Sequence, residues 1–220
     1  MARSVDASSG TASERSRDPQ RTKQEILEVA THEFARAGYS GARVDDIAAK
    51  TRTTKRMIYY YFGGKKGLYI AVLEAAYGRI RHLEQELDLQ HLEPVEALRT
   101  LVSVTFDYHD NNRDFVRLVC VENVHDAEHI RLSSNIQGLN RSTVGIVRDV
   151  LRRGYDEGVF HRQVKPIELH ALMSALCFYR VSNQATVQAI FGHDMSSPAN
   201  RRRQRALITD LLVTWLTCPE

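Results

Sequence analysis

Apolar residues recur every three or four positions along most of this chain, and this spacing is the sequence feature that most restricts its fold. The first run places Ile26, Val29, Ala30 and Phe34 on one face of a helix. No two alternating segments are joined by the short Asn-Gly or Asp-Gly turn that is typical of a β-hairpin. We therefore expect an all-α fold of about nine helices.

Glycine and proline residues divide this pattern into separate helices. Gly38 ends the first predicted helix, and two short helical segments follow at residues 44–50 and 54–61. The few residues between them suit a helix-turn-helix, and a glycine pair then precedes a long helix predicted over residues 65–87. Beyond Pro94, the predicted breaks are residues 109–112, Gly138, residues 158–166 and residues 192–198, and the long apolar segments are residues 167–191 and 199–216.

The same pattern predicts three parts in the chain. Residues 1–18 are rich in Ser and Arg without apolar periodicity, so we expect a disordered tail. Residues 19–64 form a predicted three-helix domain that contains the helix-turn-helix. Residues 65–220 form a linking helix and a larger helical bundle.

The composition favours a globular protein that is not inserted in a membrane. With 43% hydrophobic and 26% charged residues, the 220-residue chain is able to bury a core. No segment approaches the length of an apolar membrane span, and the first twenty residues lack the apolar stretch of a secretory signal. We expect a cytoplasmic protein whose three widely spaced cysteines are reduced thiols and which needs no cofactor.

The positive charge is concentrated in one short segment. The whole chain carries a formal net charge of +3. Between Ser40 and Ile70, however, the seven basic residues face only two acids, Asp45 and Asp46. A partner that is a polyanion would require such a local excess of positive charge.

The second short helix has two chemically different faces. On a helical wheel Met57, Ile58 and Phe62 lie on one side, together with Thr54 and Tyr61. The other side carries two cations and two phenols, namely Lys55, Arg56, Tyr59 and Tyr60. A short basic and aromatic face suits a recognition helix in the major groove of DNA. The alternative is an aromatic patch with ordinary surface charges.

Residues 21–77 resemble the N-terminal domain of TetR/AcrR-type bacterial transcriptional regulators. The resemblance is carried by the stretch RVDDIAAKTRTTKRMIYYYFGGKKGLYIAVLE, with its Ile-Ala pair, its turn, its Tyr-x-x-Phe run and its Lys-x-x-Leu helix start. It implies a small core that contains Ile47, Ala48, Ile58, Phe62 and Leu68. The side chains that it implies on the DNA-facing surface are Arg43, Thr54, Lys55, Arg56, Tyr59, Tyr60 and Lys65.

The chain departs from the family pattern in the turn between the two short helices. The family has Ala-Gly-Val-Ser there, whereas this chain has Thr51-Arg52-Thr53-Thr54. Glycine tolerates a positive φ that an arginine adopts only with strain. Either the turn has another conformation, or Arg52 adds a phosphate contact.

The resemblance also implies a dimeric, ligand-responsive regulator that is not an enzyme. Two subunits, joined through the last two long helices, would bind a palindromic operator as a repressor. The apolar excess of residues 167–191 fits such a dimer contact, and it equally fits a buried helix. A small-molecule effector would occupy the C-terminal bundle, where the candidate ligand-binding side chains are Phe106, His109, Phe115, Asn123, Tyr155 and Phe178.

A second hypothesis about the function comes from the segment His125-Asp126-Ala127-Glu128-His129, which matches the H-x-x-E-H pattern of a zinc peptidase. On a helix, His125 and His129 would lie one turn apart and could bind a metal ion. No third-ligand motif accompanies the pair. A metal-binding protein or metal-dependent hydrolase is therefore the alternative function, and we assign no catalytic or metal-binding residue.

Overall fold

The computed structural model describes residues 18–219, and all regular elements in this range are helical. Of the predicted tail, residues 1–17 lie outside the described part of the chain, and Asp18 lies within it. The ten α-helices are α1 Pro19–Gly41, α2 Val44–Lys50, α3 Lys55–Phe62, α4 Lys65–Gln85, α5 Pro94–Asn111, α6 Arg113–Val124, α7 Ser134–Asp156, α8 Pro166–Ser182, α9 Gln184–Phe191 and α10 Pro198–Thr217. A single 3-10 turn lies at Ile130–Leu132. The all-α prediction is confirmed.

Helix ends follow the capping residues of the sequence. The Asp18 carboxylate accepts a hydrogen bond from the Gln20 backbone at 3.0 Å, and Pro19 fills the first position of α1. Gly38 has φ 69°, so the regular part of α1 ends there as predicted, three residues before the helix boundary. At α10, the Ser197 hydroxyl caps the helix in the same way, as its Ser-Pro start predicts.

Two predicted boundaries are wrong. We expected a break at Gly138, but α7 runs through it because the helix is already capped upstream: the Ser133 hydroxyl accepts from the Ile136 backbone at 3.2 Å. We also expected one helix over residues 167–191. The chain instead leaves helical geometry at Asn183 (φ −103°, ψ 6°), which separates α8 from the short α9.

Two hydrophobic clusters fill the interior. The first joins α1–α4 to the start of α6 through residues such as Phe34, Ile47, Ile58, Leu68 and Leu118. The second lies between α5, α7, α8 and α10, with Leu101, Val147, Met173 and Leu212 among its members. The packing of α1 against both α4 and α6 ties the N-terminal helices to the larger bundle.

Within residues 18–219, no helix is both long and apolar enough to cross a membrane.

Candidate nucleic-acid interface

The segment from α2 to α3 folds as a compact helix-turn-helix. The Thr51 hydroxyl donates to the Ile47 carbonyl at 2.9 Å and closes α2. Three residues later, the Thr54 hydroxyl accepts from the Met57 backbone at 3.3 Å and opens α3. Two threonines therefore fix both sides of the turn.

Arg52 takes the left-handed conformation in this turn. Its φ is 51°, one of three positive values among non-glycine residues in the described range. The Arg52 backbone donates to Ala49 at 3.4 Å, and the Thr53 backbone donates to Ala48 at 3.2 Å. These bonds hold a turn of the form that glycine would adopt more readily, so the strain expected at Arg52 is present.

Helix α3 has the two faces that its sequence predicts. Ile58 is fully buried, and Met57, Tyr61 and Phe62 are partly buried. On the other side, Tyr60 is 78% exposed and Tyr59 49%, and Lys55 and Arg56 are also exposed. One side chain departs from the wheel. Thr54 is exposed, because it is the N-cap residue and precedes the first turn.

Three of the cations that are predicted to face DNA differ in their contacts within the protein. The Lys55 ammonium lies 3.1 Å from the Asp45 carboxylate. The Lys65 ammonium donates to the Ser40 carbonyl at 3.2 Å and lies 4.9 Å from the centre of the Tyr39 ring. Arg56 has no ion pair with any described residue, and so its guanidinium is the more available group for an anionic partner.

A buried carboxylate, which the sequence did not single out, attaches α2 to α1. Glu33 is almost completely buried; Lys50 of α2 donates to its carboxylate, and so does Arg36 at 3.1 Å. The hydrogen bond from Lys50 lowers the pKa of Glu33 from its ordinary value. This contact fixes the orientation of α2 and therefore of the turn and α3 that follow.

The connection between α3 and α4 depends on a glycine pair. Gly63 has φ 73° and Gly64 φ 122°, both in the region that disfavours other residues. A Cβ atom on Gly64 would also lie 3.3 Å from the Tyr59 ring. The pair brings the start of α4, with Lys65 at its first position, next to Tyr59, and a helix start offers backbone N–H groups to a phosphate.

The predicted ligand-binding residues do not all lie together. His109, Phe115 and Phe178 form one ring cluster, with ring centres 5.7 and 6.2 Å from His109. Phe106 lies one turn earlier on α5, under the Arg180 guanidinium. The other two are apart: Asn123 is exposed and bonds the Val119 carbonyl, and the Tyr155 hydroxyl bonds the 162–164 segment.

The histidine pair of the metal hypothesis does not lie on a helix. His125 ends α6 and is exposed, and positive φ values at Asp126 and Ala127 turn the chain before His129. His129 is buried, and its Nδ1 lies 3.1 Å from Glu122. Within residues 18–219, no three His, Cys, Asp or Glu side chains are grouped to hold a metal ion. The pattern match is therefore not a zinc-peptidase motif.

This turn instead connects α6 with the end of α1 and the start of α4. The Glu122 carboxylate of α6 accepts from the backbone of His129 and of Ile130, both at 3.1 Å. The centres of the His129 and Tyr39 rings lie 4.3 Å apart, and the Lys65 ammonium contacts the same Tyr39 ring. A change in α6 would thus reach the start of α4 through three consecutive contacts.

Comparison with known proteins identifies the family of this chain. Residues 26–72 match the family described as bacterial regulatory proteins, tetR family, and residues 94–212 match the tetracyclin repressor-like C-terminal domain. The chain belongs to the TetR family. The HTH-type transcriptional repressor NicS of Pseudomonas putida is 31% identical over 92% of this chain and 95% of its own length.

Other members of the TetR family agree in sequence and fold. The HTH-type transcriptional repressor SCO4008 of Streptomyces coelicolor is 32% identical over 75% of this chain and 81% of its own length. A TetR-family regulatory protein of Rhodococcus RHA1 has the same fold, with a TM-score of 0.71, 19% identity and coverage of 91% of this chain and 99% of that one. The chain is a DNA-binding transcriptional regulator, and the metal-dependent hydrolase alternative is not supported.

Proposed function

We propose that this TetR-family chain is a repressor that binds a palindromic operator as a homodimer and responds to a small-molecule effector. The observation that carries the proposal is the exposed basic and aromatic face of α3, held by a helix-turn-helix. Its two similar relatives from Pseudomonas and Streptomyces are both named as repressors.

In this proposal α3 enters the major groove. An α-helix with its side chains is about 10–12 Å in diameter, which suits the width of that groove of about 12 Å. Arg56 would bond a guanine edge or a phosphate, and the Tyr59 and Tyr60 hydroxyls would donate to phosphate oxygens. Arg43 at the start of α2 and Lys55 at the start of α3 would contact the sugar-phosphate backbone of the DNA. Thr54 and Lys65 would add further contacts to it.

The Lys55–Asp45 pair has a consequence for this binding. Both side chains are more than half exposed, so the pair contributes little to folding stability. Asp45 would lie close to the DNA backbone and repel it. Lys55 could exchange the Asp45 carboxylate for a phosphate without leaving the surface.

The proposed dimer uses an exposed apolar surface of α8 and α10. Leu207, Leu211 and Trp215 recur every fourth residue on α10, and the first two are 63% and 53% exposed. Leu172 and Tyr179 are similarly exposed on α8, which packs against α10. A stripe of this kind on two neighbouring helices suits a two-fold contact with the same helices of a second copy.

In this proposal the two predicted parts of the chain have different functions. Residues 19–64 would bind DNA, and residues 65–220 would link, dimerise and bind the effector, without catalysis and without a cofactor. Because the proposed partner is chromosomal DNA of a bacterium, the protein would act in the cytoplasm.

Substitutions on α3 test the DNA contacts. Arg56→Ala and Tyr60→Phe should each weaken binding to the operator by about 1–3 kcal/mol. Both side chains are exposed, so the free energy of unfolding should change by less than about 0.5 kcal/mol. Arg148→Ala removes the same charge from the exposed surface of α7 and serves as the control. Equal DNA affinity in all three variants would contradict the proposed surface.

Sedimentation of the full chain tests the dimer. Leu207→Glu combined with Leu211→Glu should convert a dimer into monomers. Operator binding should then be lost, because a palindrome is bound by two helix-turn-helix units, one from each subunit. Val124→Glu places the same charge on a 78% exposed apolar residue at the end of α6 and should leave the dimer intact. A monomeric wild-type protein would contradict the proposed assembly.

A further inference from the structure

A cavity of about 700 Å³ lies between the first helix and the bundle. Its walls come from α1, from α4 and from the corner at which α5 ends and α6 begins. The cavity is separate from the interior of the C-terminal bundle, because one wall belongs to the N-terminal domain. A volume of this size is typical of small-molecule sites.

The buried part of the lining is apolar and aromatic. It consists of Ala76 of α4, Tyr108 of α5 and Phe115 of α6. The centres of the Tyr108 and Phe115 rings lie 5.5 Å apart, at an angle of 72°. The Tyr108 hydroxyl donates to the Ala76 carbonyl at 3.1 Å, so this polar atom is already satisfied. What remains for a ligand is an apolar surface to which a flat ring can pack.

Two arginines of the lining have no partner in the described chain. Arg79 of α4 and Arg113, the first residue of α6, are both exposed. Neither side chain makes an ion pair or a hydrogen bond with another described residue. Burial raises the pKa of Tyr108 to about 12, and the charge of Arg79 opposes this rise, which places the guanidinium near the Tyr108 ring. A guanidinium binds a carboxylate through two parallel hydrogen bonds.

Two carboxylates line the same cavity. Glu28 of α1 accepts from the Gln24 amide at 2.9 Å, and Asp114 of α6 lies 3.3 Å from Nδ1 of His32. No lysine or arginine of the described chain pairs with either of them. Both carboxylates are therefore able to accept hydrogen bonds from a cationic group.

These charges of the lining balance each other. A third carboxylate, Asp110, is already neutralised, because Arg180 and Arg201 both pair with it. Two cations and two anions remain. A ligand with a single charge would be attracted by one pair and repelled by the other, whereas a zwitterion meets an opposite charge at each of its ends.

We propose that this cavity binds a free amino acid with an aromatic side chain. The carboxylate of the amino acid bonds the guanidinium of Arg79 or Arg113. Its ammonium bonds the carboxylate of Glu28 or Asp114, and its ring packs against the buried rings of the lining. The site lies outside the bundle interior, so it is a second site beside that of the proposed effector.

The position of the site couples it to DNA binding. His32 and Asp114 join α1 to α6 at the edge of the cavity, and the ligand touches both of these helices. If α1 moves relative to α6, the walls of the cavity move apart or together, and the affinity for the amino acid changes. By linkage, the amino acid then changes the affinity for the operator. This coupling rests on the proposed function, whereas binding of the amino acid does not.

Calorimetric titration of the full-length protein tests the ligand class. The probes are L-phenylalanine and L-tryptophan, their amides, which lack the carboxylate, and their desamino acids, which lack the ammonium. At least one amino acid should bind about tenfold or more tightly than both of its derivatives, because a site built for two charged groups rejects an analogue that lacks one of them. No binding of either amino acid, or a derivative that binds as tightly as its parent, would overturn the proposal. Equally tight binding of L-alanine would overturn the assignment of the ring.

A pair of arginine substitutions tests the carboxylate contact. Arg79→Met combined with Arg113→Met should bind the amino acid several-fold more weakly and bind the amide as the wild type does, because the amide has no carboxylate. Arg117→Met combined with Arg148→Met is the control, since both of these arginines are exposed and neither lines the cavity. A loss of general stability would weaken the binding of the amino acid and of the amide alike, and so would contradict a direct contact.

A pair of acid substitutions is the reciprocal test. Glu28→Gln combined with Asp114→Asn should weaken binding of the amino acid several-fold and leave binding of the desamino acid unchanged, because the latter has no ammonium. Unchanged binding of the amino acid in either double variant would also overturn the proposal.

Operator binding, measured with and without the amino acid, separates this inference from the proposed function. Binding of the amino acid should change the operator affinity about fivefold or more. Specific DNA binding together with failure of both amino acids contradicts only the second site. Loss of specific DNA binding in a protein that still binds the amino acid contradicts the regulator function and leaves the site intact.

Discussion

The strained backbone at Arg52 gives a prediction whose magnitude follows from the structure. A left-handed conformation costs an L-residue about 1–2 kcal/mol, and glycine avoids this cost. The greater freedom of glycine in the unfolded chain offsets about 0.4–1 kcal/mol of that gain. Replacing Arg52 by Gly should therefore give a protein that is about 0.5–1 kcal/mol more stable than the Ala variant.

Comparing Gly with Ala isolates the backbone contribution. Both variants remove the whole arginine side chain beyond Cβ, so any contact it makes is lost equally from the two. The assay is thermal denaturation of both variants, with a difference in melting temperature of about 1–4 °C expected for a chain of this size. At Arg148, inside α7, the order should reverse, because Ala is the better helix former. If Arg52→Ala is as stable as Arg52→Gly, the turn is not strained.

Three further predictions concern the bundle. Gly154→Ala should lower the free energy of unfolding by about 1–3 kcal/mol, because its Cβ atom would lie 1.9 Å from the buried Phe160 ring. The control is Gly78→Ala, whose Cβ atom would meet no neighbour within 4 Å. It should be neutral or stabilising in the same denaturation assay. The pKa of His170 is lowered from 6.5 to about 4, so below about pH 6.5 the folded state binds fewer protons than the unfolded chain. The contribution of this group to the free energy of unfolding is therefore constant above about pH 6.5 and decreases towards pH 4. His170→Gln should make the free energy of unfolding depend less on pH in this range, as measured by denaturation at several pH values. Glu122→Gln leaves one carbonyl acceptor for three nitrogen atoms and should cost about 2 kcal/mol; an unchanged melting temperature would contradict a structural role for this carboxylate.

The sequence predicts the N-terminal helices well because their signals are local. The apolar spacing, the threonine before α3 and the glycine pair after it each determine structure within a few residues. The split of α3 into a buried and an exposed face follows from one helical wheel. The wheel does not show which of the cations predicted to face DNA are already paired, since Lys55–Asp45 and Lys65–Ser40 join residues from different elements.

The buried polar groups of the bundle could not be found in the same way. Arg81 and Glu84 are spaced like an ordinary exposed ion pair on a helix, and only the packing of α7 against α4 buries them. The sequence predicts a break at Gly138 because a glycine inside a helix costs free energy, although the Ser133 cap and the packing of α7 outweigh that cost. In both cases tertiary contacts decide the outcome, and periodicity carries no information about them.

Fluorescence anisotropy provides the most direct test of the central claim, that this chain is a sequence-specific repressor. The full-length protein is titrated against labelled DNA from upstream of its own gene, with a scrambled duplex as control, at two salt concentrations. The account predicts tight binding to a palindrome in the upstream DNA, with an affinity that falls with salt as expected for several phosphate contacts. Equally weak binding to both duplexes would contradict it.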